Sequence, residues 1–203
     1  INGLAAGDAA GWSVSLSANG SIVAIGSIRN DSNGKESGQV RAFKLNNNQW
    51  GQIGNDINGK IAGEHFGNSL SLSSNGDLIA IGAPSYDGNL ARVYKLNKNI
   101  WSQVGSDIKG DAYGDYFGCS IALSNDSKTL AIGSRYGNQS KGYVKVFKNH
   151  DENWTQIGST LVGENTRDIA GHSISLSGEG DLLAIGAPWS NEGGIGSGQV
   201  RVY

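Results

Sequence analysis

The feature that most constrains this chain is a segment of sixteen residues that occurs four times. It starts at Gly11, Gly67, Gly118 and Gly171, so successive starts lie 56, 51 and 53 residues apart. Each copy begins Gly-x-Ser and ends Ala-Ile-Gly. A period of about 50 residues indicates a supersecondary unit that buries its faces only by stacking on its neighbours. We therefore expect a single domain over residues 1–203, with repeats of approximately 11–66, 67–117, 118–170 and 171–203.

Each repeat contains four strand-like runs, which in the first repeat cover residues 13–17, 22–26, 39–45 and 49–54. The first run alternates serine with apolar residues, the second is continuously apolar, and Asn19-Gly20 between them is typical of a hairpin turn. Four antiparallel strands in about 50 residues, apolar on both faces, predict one blade of a β-propeller. The predicted fold class is therefore all-β, a propeller of four-stranded antiparallel blades.

Composition excludes several classes of protein. The 32 glycines recur in register, which indicates tight turns, and no stretch carries a helical period. The net charge of −2 with scattered basic residues argues against a nucleic-acid partner. The sequence contains no run of 18 apolar residues, so it predicts no membrane-spanning helix. The single cysteine, Cys119, excludes an intrachain disulfide.

The register also predicts about four blades, of which the last lacks its outer strand. Residues 1–3 match the tail of a fourth strand at 57–59 and 108–110, whereas the last repeat ends at Tyr203 after its third strand. Two alternatives stay open. Either the chain is a segment of a longer propeller, partnered by further blades of the same polypeptide, or its units close on themselves or pair with another copy. An isolated arc would expose an aggregation-prone surface.

Short motifs in the repeats resemble a known family. Phe66-Gly67 and Phe117-Gly118 open two repeats, and Gly-Ala-Pro follows the second strand at 82–84 and 186–188. These residues resemble the FG-GAP repeat of integrin-α-type β-propellers, over essentially the whole chain. The resemblance implies an extracellular or surface-associated protein, similar to arrays in large secreted proteins of aquatic microbes and algae. The calcium loop of that family is not matched, because residues 18–20 form a three-residue turn. We expect no cofactor.

Candidate ligand-binding residues lie in the loops between the second and third strands, which vary while the scaffold repeats. An exposed aromatic ring beside amides and carboxylates suits a sugar, so these loops predict a glycan- or protein-binding face. Alternatively, the same side chains cap the edge of each blade. The candidates are Asn30, Asp31, Tyr86, Asp87, Tyr136, Asn138, Trp189 and Asn191.

Two further sets recur once in each repeat. An acidic residue three positions before the opening glycine would either attract a cation or accept backbone N–H bonds within its loop; this set is Asp8, Glu64, Asp115 and Asp168. The residue after the opening glycine is expected at the mouth of the central channel; this set is Trp12, Asn68, Cys119 and His172. Neither set predicts a metal site, because too few strong ligands are present together. Trp50, Trp101 and Trp154 are expected to pack on the outer strands.

No catalytic machinery is recognisable in the sequence. The serines have no neighbouring base signature, and His65, His150 and His172 form no triad-like motif. The sequence therefore predicts a protein that is not an enzyme, acting as an extracellular recognition or adhesion module through its loop-bearing face. The alternative is a structural repeat protein that serves as a scaffold or assembly unit of a larger coat, filament or surface complex.

Overall fold

Four antiparallel sheets follow one another along the chain in the computed structural model, which describes residues 1–85 and 88–203. We call these sheets units 1 to 4. Unit 1 contains β1(Ala10–Leu16), β2(Ile22–Ser27), β3(Gln39–Asn46) and β4(Gln49–Asn58), and unit 2 contains β5(Ser69–Leu72), β6(Leu78–Ala83), β7(Leu90–Asn97) and β8(Ile100–Lys109). Unit 3 contains β9(Phe117–Leu123), β10(Thr129–Ser134), β11(Tyr143–His150) and β12(Asn153–Val162), and unit 4 contains β13(Ser173–Leu176), β14(Leu183–Ala187) and β15(Gln199–Val202).

Within each unit the strands are paired in chain order, as expected for consecutive hairpins. The only helical segment among the described residues is one short turn, α1(Gly137–Ser140). The prediction of an all-β chain with a last sheet of three strands is thus confirmed. Strand β4 reaches Asn58, in agreement with the strand tail predicted at 57–59, and its pairing with β3 contains a register shift between Val40 and Ala42.

The core lies between consecutive units, because each sheet is apolar on both faces. We call the face of a unit that meets the next unit its trailing face, and the opposite one its leading face. Between units 1 and 2, the trailing side chains Ala24 and Val40 pack in one cluster with the leading side chains Ile79 and Ile81. A second cluster joins unit 2 to unit 3, and a third joins unit 3 to unit 4. No unit buries its core alone.

Serines of the innermost strands join neighbouring units. The hydroxyl of Ser69 donates to the carbonyl oxygen of Gly118 at 2.7 Å, and Ser13 and Ser120 donate to Gly67 and Gly171 in the same way. A Cβ at Gly82 would collide with that same Gly118 carbonyl. Glycine and serine at these positions therefore permit the close approach of the sheets that the repeat requires.

The first and last units each keep one open face. Strand pairing in the described part of the chain does not join unit 4 to unit 1. Val14 and Leu16 are exposed on the leading face of unit 1, and Val200 and Val202 are exposed on the trailing face of unit 4. None of the helical structure described is long and apolar enough to cross a membrane.

Candidate functional site

A cavity of about 490 Å³ lies where the loops that enter units 2 and 3 meet strand β7. Its wall contains charged side chains of both signs, contributed by the two loops and by the third and fourth strands of unit 2. These are Lys60, Glu64, Arg92, Asp107, Lys109 and Asp111. The volume is in the range of small-molecule sites.

Arg92 is the centre of the charged wall. It lies on the leading face of unit 2, where its guanidinium is almost fully buried. Its Nε donates to Asp107 Oδ1 at 2.9 Å and its Nη2 to Asp107 Oδ2 at 3.0 Å, which is a two-pronged pairing. Nη2 also lies 2.6 Å from Glu64 Oε1. Nη1 is buried and has no hydrogen-bond partner among the described residues.

The pairing fixes the charge state of Asp107. Burial by itself would raise the pKa of this carboxyl, but hydrogen bonds from Arg92 and Gln103, together with the charge of Arg92, hold it well below its usual range. Lys60 Nζ adds a further contact at 3.2 Å from Asp107 Oδ1. A carboxylate that binds protons so weakly is a poor general base, so the role of Asp107 is to orient the two cations.

The charges that line the cavity balance: Lys60, Arg92 and Lys109 stand against Glu64, Asp107 and Asp111. Asp111, whose side chain is 58% exposed, pairs with Lys145 from strand β11 of unit 3. Lys60 and Lys109 are the lining cations that are exposed to solvent, so these two lysines are placed to meet an anionic ligand.

The predicted ligand residues of unit 1 lie at a second cavity, of about 460 Å³, whose lining includes Asp8, Asn30 and Asp31. Asn30 is buried, and its Nδ2 donates to Asp8 Oδ2 at 3.1 Å. Asp31 Oδ1 accepts the backbone N–H of Glu36 at 2.8 Å. Asn30, a predicted ligand residue, thus uses its amide to hold the loop that enters unit 1.

The remaining predicted ligand residues are spread over separate units. Tyr136 is exposed and packs edge-on against Tyr116, with ring centroids 5.1 Å apart. The Arg135 guanidinium lies 4.9 Å from the centroid of each of these rings. In unit 4, Trp189 is exposed and Asn191 Oδ1 accepts the N–H of Gly196 at 2.7 Å.

Asn138 lies within α1 at a positive φ of 52°. Tyr86 and Asp87 lie outside the described residues. Of the predicted ligand residues that the structure describes, Asn30 and Asp31 line the same cavity. The others lie at separate positions along the loops.

The recurring acidic residues each accept a backbone N–H from their own loop. For Asp8, Asp115 and Asp168 the donor is the amide three residues earlier, at 3.1, 2.9 and 2.7 Å. Glu64 accepts the amide of Lys60. This is the second of the two roles considered above. The described residues contain no group of three or more His, Cys, Asp or Glu side chains placed to hold a metal ion.

The four residues predicted at a channel mouth stand at the start of the first strands. Trp12 and His172 are exposed, whereas Asn68 and Cys119 are half-buried. The Cys119 thiol lies 3.5 Å from the carbonyl oxygens of Gly133 and Gly171. Burial raises the pKa of this thiol, so it is protonated near neutral pH and is a weak nucleophile.

Part of the charged cavity is visible in the sequence, although Glu64 is the only one of its charged residues among the predicted site residues. A basic residue recurs on the third strand at Arg41, Arg92, Lys145 and Arg201, and an aspartate recurs in the fourth strand at Asp56 and Asp107. Arg92 and Asp107 stand on neighbouring strands of one sheet, but the pairing of Arg92 with Glu64 and of Lys145 with Asp111 depends on which loop lies over which strand. That information comes from the packing of the units.

Solved structures of other proteins share the fold of this chain. A putative 6-phosphogluconolactonase from Bacteroides uniformis is similar with a TM-score of 0.62 and 15% identity, over 89% of this chain and 51% of that one. A functionally unknown protein from Desulfotomaculum acetoxidans gives a TM-score of 0.59 and 16% identity, over 85% and 47%. A putative 6-phosphogluconolactonase from Bacteroides fragilis gives 0.59 and 17%, over 92% and 52%.

This chain thus spans about half the length of these structures. No protein-family model and no curated protein matches its sequence. The FG-GAP resemblance and the extracellular location therefore stay predictions.

The comparison corrects the functional prediction. The chain was predicted to be a non-catalytic recognition or adhesion module, or alternatively a structural scaffold, and not an enzyme. These predictions are wrong on this comparison, because two of the proteins that share the fold are described as putative lactonases. The inference failed because it took the lack of a familiar motif in an all-β repeat array as a sign that catalysis was absent. An all-β repeat fold does not by itself show whether a protein is an enzyme.

Proposed function

We propose that the four sheets are blades of a β-propeller and that the chain forms part of an enzyme that hydrolyses a phosphorylated sugar lactone. The observation that carries this proposal is the charged cavity of unit 2, whose lining includes the exposed cations Lys60 and Lys109 and the exposed carboxylate Asp111. The fold shared with proteins described as putative 6-phosphogluconolactonases supports the choice of reaction.

The chemistry needed for this reaction is modest. A sugar lactone is a cyclic ester that water already attacks slowly, so an enzyme accelerates the reaction by holding the ring and stabilising the oxyanion that forms at the carbonyl carbon. In the proposed site, Lys60 stabilises that oxyanion, Lys109 pairs with the phosphate, and buried Arg92 holds Asp107 in place. Asp111, the carboxylate of the wall that is most open to water, accepts the proton of the attacking water. The tetrahedral intermediate then collapses with cleavage of the ring C–O bond, and Asp111 returns the proton to the leaving ring oxygen.

The test is an assay of lactone hydrolysis with the spontaneous rate subtracted. The wild-type chain is expected to hydrolyse 6-phosphogluconolactone faster than gluconolactone, which lacks the phosphate. Lys109→Ala is expected to lower kcat/KM for the phosphorylated substrate by about tenfold to a hundredfold, as for loss of one charged hydrogen bond. It should leave kcat/KM for gluconolactone nearly unchanged.

Lys44→Ala is the matched control, because Lys44 is an exposed lysine of strand β3 away from the cavity. A wild-type rate no greater than the spontaneous rate would overturn the proposal. So would an equal loss of activity in the Lys44 and Lys109 variants.

A further inference from the structure

A cavity of about 280 Å³ lies between strand β8 of unit 2 and the leading face of unit 3, and we call it the β8–β12 cavity. Its lining includes Lys109 from β8, Lys145 from β11 and Gln156 from β12. The side chain of Lys145 is only 10% exposed. Burying an ammonium group costs free energy unless acceptors surround it. The β8–β12 cavity therefore lies beside a buried cation.

In unit 2, the residues that correspond to Lys145 and Gln156 hold a carboxylate. They are Arg92 and Gln103, which stand at the same register positions of the third and fourth strands. The Arg92 guanidinium donates to both oxygens of Asp107, and Gln103 Nε2 donates to Asp107 Oδ1 at 2.9 Å. These two donors of unit 2 thus converge on one anion.

Unit 3 keeps the donors but lacks that carboxylate. Thr160 stands where Asp107 stands in unit 2, so the charged acceptor is replaced by a neutral hydroxyl. Gln156 Nε2 lies 3.4 Å from the Thr160 hydroxyl oxygen. The corresponding glutamine of unit 1, Gln52, donates to the carboxylate of Asp56 at 2.7 Å. The cavity in unit 3 therefore lies beside donors that hold an anion elsewhere in the repeat.

The neighbouring charges leave donors for one more anion. Lys145 Nζ donates to Asp111, whose side chain is 58% exposed, but an ammonium group has three N–H donors. Asp107, the carboxylate of the cavity lining, is already held by Arg92. Lys109 is exposed and forms no ion pair within the part of the chain that the structure describes.

We propose that the β8–β12 cavity binds a phosphoryl anion, held by Lys145, Gln156 and Lys109. Separate ammonium and amide donors suit the tetrahedral oxygens of a phosphoryl group, whereas a planar carboxylate is matched best by the fork of an arginine, as at Arg92. Lys109 also lines the cavity of unit 2 that carries the proposed lactonase function. The anion site is defined by binding alone and does not depend on that activity.

Isothermal titration calorimetry with inorganic phosphate tests the site, at constant ionic strength so that screening stays the same throughout. The wild type is expected to bind phosphate saturably. Lys145→Met keeps the length of the side chain but removes its charge, and it is expected to weaken binding by about tenfold to a hundredfold. Lys44→Met is the control, because Lys44 is an exposed lysine of strand β3 outside the cavity lining. A wild type without saturable binding, or equal losses in the two variants, would overturn the proposal.

Thr160→Asp is a sharper test, because it restores the carboxylate that unit 2 has at this position. It is expected to weaken phosphate binding by at least about tenfold and to raise Tm, since Lys145 and Gln156 then hold the new carboxylate. Ser159→Asp adds the same charge at the neighbouring exposed residue, which lines a different cavity beside unit 4, and it should bind phosphate as the wild type does. Equal phosphate binding by these two variants would overturn the proposal, even if Lys145→Met failed to fold.

Two further titrations define the anion. Acetate presents a carboxylate alone, and binding of acetate as tight as that of phosphate would overturn the assignment to a phosphoryl group. Glucose 6-phosphate presents the phosphoryl group on a sugar. Tighter binding of glucose 6-phosphate than of inorganic phosphate would support a sugar phosphate as the ligand, and equal or weaker binding would support free phosphate.

Discussion

Trp101 and Trp50 occupy the same position of the fourth strand in units 2 and 1, but only Trp101 has another sheet in front of it. Trp101 is 3% exposed, and its indole Nε1 donates to the Ile53 carbonyl oxygen of unit 1 at 3.1 Å. Trp50 is 38% exposed at the open leading face. The same residue in the same strand is therefore a core residue in one unit and a half-covered surface residue in another.

The comparison teaches that stability in this chain belongs to the contacts between units more than to the units themselves. In repeat proteins, the free energy of unfolding is approximately a sum of terms for each repeat and for each interface. Substitutions at matched positions of covered and open faces separate the repeat terms from the interface terms. The local sequence is nearly the same at the two positions, but a neighbouring unit covers only one of them.

The largest effect is expected for the tryptophans. Trp101→Ala should lower the free energy of unfolding by about 3–5 kcal/mol, since it leaves a cavity between units 1 and 2 and an unpaired Ile53 carbonyl. Trp50→Ala should cost about 1 kcal/mol, because its ring is only partly covered. Denaturant unfolding at a concentration where the chain is monomeric measures both. Equal losses would mean that the interface between units is not the main source of stability.

The second effect concerns the cations of the third strands. Arg92→Met should cost about 3–5 kcal/mol, because Glu64 is fully buried and loses its cation. Arg41 occupies the same position at the open face, where its Nη2 donates to the Asn2 carbonyl oxygen at 2.6 Å. Arg41→Met leaves no buried carboxylate unpaired, so a loss of about 2 kcal/mol is expected. Thermal and denaturant unfolding compare the two variants.

The pH dependence of the unfolding free energy provides a second test of the Arg92→Met variant. The pKa of Asp107 is lower in the folded chain than its ordinary value of 3.8, so its contribution to stability is present above that value and is lost as the pH falls below it. The difference in unfolding free energy between wild type and Arg92→Met should therefore be largest near neutral pH and should narrow as the pH falls through the carboxyl range. A difference that is constant with pH would contradict the assigned ion pairing.

The repeat in the sequence predicted most of the fold, because a period of about 50 residues with four strand-like runs leaves few other architectures. It predicted the order of the strands and the incomplete last sheet. It did not predict the charged cavity, since Glu64 meets Arg92 only when the loop from unit 1 lies over the leading face of unit 2. Asn30 illustrates the same limit: its type suited a ligand, but its amide bonds to Asp8 of the entering loop.

The smallest effect is expected for the serines of the innermost strands. Ser69→Ala removes the hydrogen bond to the Gly118 carbonyl oxygen and should cost about 1 kcal/mol. Ser173 occupies the same position in unit 4, which has no following unit, so Ser173→Ala should change the unfolding free energy of the monomer by less than about 0.5 kcal/mol. Denaturant unfolding of the two variants measures the difference. Equal losses would mean that the hydrogen bond to the following unit is not what Ser69 contributes.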